Sequence, residues 1–330
     1  MKIGILSLAH HHAEAYTQIL HTIPGIEIMG ISDDDPERGL HFAEKYEVDF
    51  YTSFEGLLSK KPDGVIVCAE NSKHRLLVEM AASYGANVLC EKPLATTLPD
   101  ANAIVAACER AGVLLMTAYP MRFSAPLMQL KARLDAGQIG KVYCFNATNQ
   151  GELPLKYRQW FVDEALAGGG AIMDHTVHLV DVMRWYLENE VTEVYAQCNH
   201  IFHKNEVKVE TGGLEMITFR DGTFATIDSS WSKPDYWPSW GGLTLEIVTE
   251  RGAVLIDAFK QRLTVYQQTQ GRPIWAYWGS DSNQAMIEEF VAAIRENRQA
   301  RVTGIDGLRS VEVALAAYES VKIGRPVQLS

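Results

Sequence analysis

A chain of 330 residues exceeds the ~100 to 200 residues usual for one domain, which predicts two, each burying its own core. At 47% hydrophobic and 22% charged it has the balance of a packed protein, and a net charge of -11 without any basic run argues against nucleic acid or anionic lipid as a partner. Nothing approaches the ~18 consecutive apolar residues of a membrane span, the run Ile3 to Ala9 is too short for a signal peptide, and five scattered cysteines without a CxxC pair predict reduced thiols and a cytoplasmic protein.

Over the first 120 residues strand-length apolar runs alternate with helical patterns, the mark of a parallel sheet covered by helices. Strands are predicted at Lys2 to Leu8, Ile26 to Asp33, Asp49 to Thr52, Gly64 to Ala69, Ala86 to Cys90 and Val113 to Tyr119. Helices include Pro36 to Tyr46, with proline near its start, and Thr97 to Ala111, with Gly112 as its stop. This is an α/β Rossmann-type domain over residues 1–121. After Arg122-Phe123 a helix is predicted at Ser124 to Ala136, a strand at Val142 to Thr148, and a helix after Gly168-Gly169-Gly170. From Val191 to Gln268, β-favouring segments broken by Gly212-Gly213, Asp221-Gly222, Gly241-Gly242 and Arg251-Gly252 predict a large, mostly antiparallel sheet. Helices at Asn283 to Glu296 and Asp306 to Val321 complete an α+β domain over residues 122–330.

In the first domain the glycine fingerprint that lets backbone amides approach a pyrophosphate is replaced by Ser7, Ala9 and His12. Two of the three are still small, and the strand-turn-helix context remains. Asp33, 26 residues beyond Ser7 at the end of the second strand, can accept bonds from the adenosine ribose hydroxyls and repels a 2'-phosphate; capping of the next helix is its simpler role. His10, His11 and His12 raise the question of a metal, but adjacent residues do not face each other on a helix and no nearby cysteine or carboxylate pattern completes a site, so none is expected.

Two segments carry chemistry. Cys90-Glu91-Lys92-Pro93 follows the fifth strand, where ligands of open α/β sheets bind, and Asn71-Ser72-Lys73-His74 follows the fourth. Gly168-Gly169-Gly170 leads into Asp174, His175, His178 and Asp181, with positions 174, 178 and 181 on one face of an α-helix. With the strand order, Asp33 before Pro36-Glu37-Arg38, and Arg122-Phe123 before Pro126, the EKP segment and the glycine-led DxxxH resemble the Gfo/Idh/MocA dehydrogenase family across nearly the whole chain. The lost glycines, Pro120 and His175 depart from the family pattern.

The resemblance implies an NAD(P)-dependent oxidoreductase exchanging hydride between nicotinamide and a hydroxyl-bearing carbon of a sugar, inositol or related polyol. Its implied catalytic residues are Lys92, Asp174 and His178: His178 as base, Lys92 stabilising the alkoxide, and Asp174 binding or orienting. Cofactor contacts fall to Ser7, Ala9, His12, Asp33, Asn71, His74, Glu91 and Lys92, with NAD expected over NADP. Substrate contacts fall to Lys92, Arg122, Trp160, Asp174, His175 and His178. A dimer or tetramer is expected, because the second face of the C-terminal sheet needs a cover. Two other readings remain: a non-catalytic NAD-binding or ligand-sensing protein on the same fold, and a metal-dependent hydrolase or lyase drawing on His10, His12, Asp174, His175 and His178.

Overall fold

The structure is a computed structural model that describes residues 1–266, 271 and 273–329. The chain forms two compact units: Met1–Pro120 with Tyr157–Gly168 and Asn283–Val311, and Met121–Lys156 with Gly169–Ser282 and Glu312–Ser330.

The first unit alternates β1 (Lys2–Leu6), α1 (His12–Thr22), β2 (Glu27–Ser32), α2 (Pro36–Tyr46), β3 (Phe50–Tyr51), α3 (Phe54–Leu58), β4 (Gly64–Val67), α4 (His74–Ser83), β5 (Asn87–Cys90), α5 (Leu98–Ala111) and β6 (Leu115–Thr117). The strands pair in parallel in the order β3-β2-β1-β4-β5-β6. Ile3, Ile5, Val65, Ile66, Val88 and Leu89 are completely buried, as a sheet covered on both faces requires. Helix starts follow local chemistry: Asp35 accepts from the amides of Glu37 and Arg38 with Pro36 just inside α2, and Thr97 accepts from Asp100 at the start of α5. Several strands end one or two residues before the predicted limits, because Ser7, Asp33 and Ala69 have already left the ladder. Those turns lie beyond the carboxyl ends of β1, β2 and β4, where the order reverses around β1 and a doubly wound sheet opens a crevice.

The second unit contains α6 (Ala125–Asp135), β7 (Val142–Gly151), α8 (Val177–Leu187), β8 (Val191–Asn199), β9 (Gly212–Phe219), β10 (Phe224–Ser230), β11 (Gly241–Thr249) and β12 (Gly252–Asp257); the short α7 (Glu164–Ala167) falls in the first unit. Then come β13 (Arg262–Val265), β14 (Ile274–Tyr277), α9 (Ser282–Arg295), α10 (Gly304–Ile323) and β15 (Val327–Gln328), of which nearly all of α9 and the start of α10, within Asn283–Val311, fall in the first unit. A seven-stranded sheet runs β12-β11-β7-β10-β9-β8-β15, antiparallel except where β10 lies parallel to β7. Gln267 and Gln268, at the far end of the predicted strand-rich stretch, lie outside the described residues.

One local prediction changes. The helix after the three glycines opens as a π-turn over Ile172–Thr176 and becomes α-helical only at Val177. A π-turn inserts an extra residue per turn, so Asp174 is rotated off the α-helical face shared by His178 and Asp181.

Candidate functional site

In the first unit the β1–α1 turn keeps the backbone of a glycine loop without its glycines. Ser7 sits in the left-handed region at φ 64°, a conformation that costs a non-glycine residue about 1 to 2 kcal/mol. Three contacts hold it there: the Ser7 amide donates to the Ser32 carbonyl at 2.8 Å, the Ser7 hydroxyl accepts from the Ala9 amide at 3.3 Å, and the His10 amide donates to the Cys68 carbonyl at 2.8 Å. Ala9 also accepts, through its carbonyl, the Trp160 indole N–H at 3.0 Å. Trp160, Phe161 and Ala167 pack on Ala9, so Trp160 walls the turn.

The three histidines do not all lie on the helix. His10 and His11 precede α1, and their rings stack 4.9 Å apart, with His11 in turn stacked on Tyr157. Their ligand atoms and those of His12 lie within 4.8 Å of one another. Beside them Glu91, wholly buried, places Oε1 3.0 Å from His12 Nδ1 and 3.9 Å from His10 Nδ1, while Oε2 accepts from the Lys92 amide at 3.1 Å. Burial pushes the Glu91 carboxyl up, but His10, His12 and the hydrogen bonds from His12 and Tyr16 outweigh it and hold it well below the usual range. Burial keeps His10 neutral and, with the neighbouring His12, drives His11 down to about 3. Lys92 follows directly, buried, ahead of a cis bond to Pro93.

Asp33 is fully engaged. Oδ2 accepts from the Leu8 amide at 2.6 Å and Arg38 Nε at 3.1 Å, and Oδ1 from the Asp35 amide at 2.7 Å and Arg38 Nη2 at 2.6 Å. Burial raises its carboxyl despite the guanidinium. Asp34 binds both Arg38 and Lys73, and Lys73 also binds Glu70. Three acids thus face two bases. Asn71 donates to the Ala167 carbonyl at 2.8 Å while its buried Oδ1 has no partner among the described residues, and His74 braces the loop by bonding the carbonyls of Pro93 and Ala69.

In the second unit Arg122 and Asp181 form a buried two-bond pair, Nε to Oδ2 at 2.8 Å and Nη2 to Oδ1 at 2.6 Å. The π-turn is anchored by groups the sequence did not signal. The Glu210 carboxylate accepts from the amides of Gly170 and Ile172, and Tyr318 bonds Glu210 and also accepts from the amides of Gly170 and Met173. A β-carbon at Gly169 would overlap the Tyr318 hydroxyl, and one at Gly170 the Glu210 carbonyl, which accounts for glycine at both. Asp174 Oδ2 accepts from Trp231 Nε1 at 3.1 Å and lies 3.2 Å from His175 Nε2. His178 is buried at the start of α8. Lys92 and Trp160 thus belong to the first unit, and Arg122, Asp174, His175 and His178 to the second.

A parallel sheet of this order, with a tight β1–α1 turn, an acid after β2 and a buried lysine after β5, defines a dinucleotide-binding oxidoreductase of the Rossmann class. Residues 2–119 match the model of the oxidoreductase family with NAD-binding Rossmann fold, and residues 127–255 match the GFO/IDH/MocA C-terminal domain. The chain belongs to the Gfo/Idh/MocA family of oxidoreductases. It is 26% identical over 343 residues to myo-inositol 2-dehydrogenase of Thermotoga maritima, covering 100% of this chain and 98% of that protein. It is 26% identical over 340 residues to D-apiose dehydrogenase of Paraburkholderia graminis, covering 99% and 88%. In fold it is similar to GenD2 from gentamicin A biosynthesis, solved in complex with NAD, with a TM-score of 0.90 at 23% identity over 100% and 96% of the two chains.

Proposed function

We propose that this protein is an NAD-dependent dehydrogenase of a sugar, inositol or related polyol, with residues 1–121 as its cofactor-binding domain and 122–330 as its substrate-binding and oligomerisation domain. The observation that carries the reading is the β1–α1 turn, which keeps the left-handed backbone at Ser7 and so preserves the fingerprint loop after its glycines are gone. The buried Oδ1 of Asn71, beyond β4 and without a partner among the described residues, is a second feature suited to a bound cofactor. NAD is favoured over NADP because Arg38 and Lys73 are spent on Asp33, Asp34 and Glu70, leaving the cluster net negative toward a 2'-phosphate.

Nicotinamide, when bound, supplies the hydride acceptor or donor. The chain's part is proton handling and orientation. His178 takes the proton of the reacting hydroxyl, since an imidazole can accept and return it near neutral pH. Lys92 stabilises the negative charge that develops on that oxygen, and Asp174 orients a substrate hydroxyl. His12, Ser7, Ala9, Glu91 and His74 serve the cofactor side, His74 by bracing the loop. Trp160 and Arg122 act through the walls they hold in place. Three fully buried thiols, Cys68, Cys90 and Cys108, suit a cytoplasmic protein, and among the described residues no helix is long and apolar enough to cross a membrane. The test is a screen of sugars and polyols with NAD and NADP, read as reduced-nicotinamide absorbance. Turnover with one class of polyol supports the reading; binding of NAD without turnover of any would replace it with a sensing role.

A further inference from the structure

The His175 ring is held on every side. Its Nδ1 lies 2.7 Å from the Asn149 carbonyl oxygen, the Asn149 side-chain amide donates back to the His175 carbonyl at 3.2 Å, and the ring is almost wholly buried. A β-carbon at Gly151 would stand 2.9 Å from Cε1 and 3.1 Å from Nε2, so β7 presses backbone against the ring. Trp240 closes another side, its centroid 6.3 Å away. At the remaining corner Nε2 faces Asp174 Oδ2 at 3.2 Å, the oxygen that also accepts from Trp231.

These contacts fix a proton count. A carbonyl oxygen only accepts, so Nδ1 must carry hydrogen. The 3.2 Å approach of Nε2 to Asp174 Oδ2 is attractive only with a hydrogen between them, carried by the ring or by the carboxyl. The titratable group brought directly to this ring by the described contacts is Asp174 on its own turn. Glu215 of β9 reaches it through Thr176, with Asp228 beyond on β10. β7 contributes only Asn149 and Gly151.

We propose that His175 is a positioning residue: it bridges the Asn149 carbonyl and Asp174 Oδ2 and so fixes the Asp174 carboxyl group, with Trp231, in one orientation for the reaction. The π-turn makes this possible by turning both residues out of the α-helical register. The positioning role rests on the part given to Asp174 above; the hydrogen bond between Nε2 and Asp174 does not.

The experiment therefore has two arms on the full, tag-free chain. Histidine-selective nitrogen-15 NMR, with the His175 signals identified by their loss in His175→Phe, should show hydrogen on Nδ1 and an Nε2 signal that moves in Asp174→Asn, as a hydrogen bond between the two requires. An Nε2 signal indifferent to Asp174→Asn would overturn the proposal whether or not any substrate has been found. In steady-state kinetics, His175→Phe should lower kcat about 10- to 100-fold with little change in KM. His175→Gln, whose amide can still donate toward Asp174, should recover part of kcat. A His175→Phe enzyme within twofold of native kcat would also overturn it.

Discussion

At the scale of single residues, the two groups assigned to proton and charge handling are the sharpest targets. Lys92→Met keeps most of the apolar stem and deletes the charge, and His178→Asn deletes the titrating ring while keeping a short polar side chain. Each should lower kcat by ~100- to 10,000-fold with NAD affinity nearly unchanged, as removal of general acid–base groups does. Stopped-flow turnover and cofactor fluorescence titration check both; near-native turnover in both variants would remove the proposed constellation. Asp33 offers a different test, because it is the anion that occupies Arg38. Asp33→Asn keeps an acceptor for one of the Leu8 and Asp35 amides, which bond different oxygens of Asp33, and releases the guanidinium, which can then pair with a 2'-phosphate. The ratio of NADP to NAD dissociation constants should fall at least about tenfold, a shift of about 1.4 kcal/mol in relative affinity. An unchanged ratio would mean that Arg38 is not within reach of the cofactor.

At the scale of elements, the π-turn draws its support from segments remote in sequence, and this decides what could be read from the chain. The parallel sheet was legible because fully buried strands such as Val65 to Val67 are continuous apolar runs, and caps such as Asp35 and Thr97 announce their helices locally. The glycine run was legible as the entry to a helix, which the structure has from Val177. The π-turn was not, since it is imposed by Glu210 and Tyr318, 40 and 148 residues from Gly170. Trp231 and Asn149, which hold Asp174 and His175, were equally silent, because nothing in a β-strand sequence marks which neighbour it will meet. The same elements bury Glu215, which accepts from Thr176 at 3.1 Å and lies 3.4 Å from Ser229. Burial, reinforced by Asp228 and Glu210, pushes its carboxyl up from 4.5 to about 8, against the bonds from Thr176 and Ser229. Below the unfolded value both states hold the proton and nothing is lost; between the two values only the unfolded chain releases it, so stability falls as pH rises across that window. The loss is on the order of a few kcal/mol. Glu215→Gln, a permanent analogue of the protonated form, should gain melting temperature relative to native between about pH 5 and 8.5. A difference that stays constant with pH would mean that Glu215 is ionised when buried. Gly170→Ala should cost several kcal/mol or prevent folding, because its methyl meets the Glu210 backbone rather than a movable side chain.

At the scale of the whole molecule, the seven-stranded sheet is two-faced. Along β9 the residues Gly213, Glu215, Ile217 and Phe219 are buried, while Leu214 and Met216, on the opposite alternation, are 60% and 46% exposed. The same is true of Phe224 on β10, Val248 on β11 and Leu255 on β12, the last 76% exposed. Large apolar side chains spread over neighbouring strands of one face are what a sheet carries when a second surface covers it, and closed symmetric pairing of identical patches is the commonest way. We therefore expect a homodimer, or a tetramer built from such dimers, with this face at its centre. Light scattering of the native chain at micromolar concentration should give a multiple of 36.8 kDa. Leu214→Glu combined with Met216→Lys should shift the mass toward the monomer. Both side chains point away from the buried face, so circular dichroism should stay native. A native chain that remains monomeric under these conditions would leave the face exposed to solvent and end the oligomer proposal; a multimer unaffected by the double variant would move the interface elsewhere.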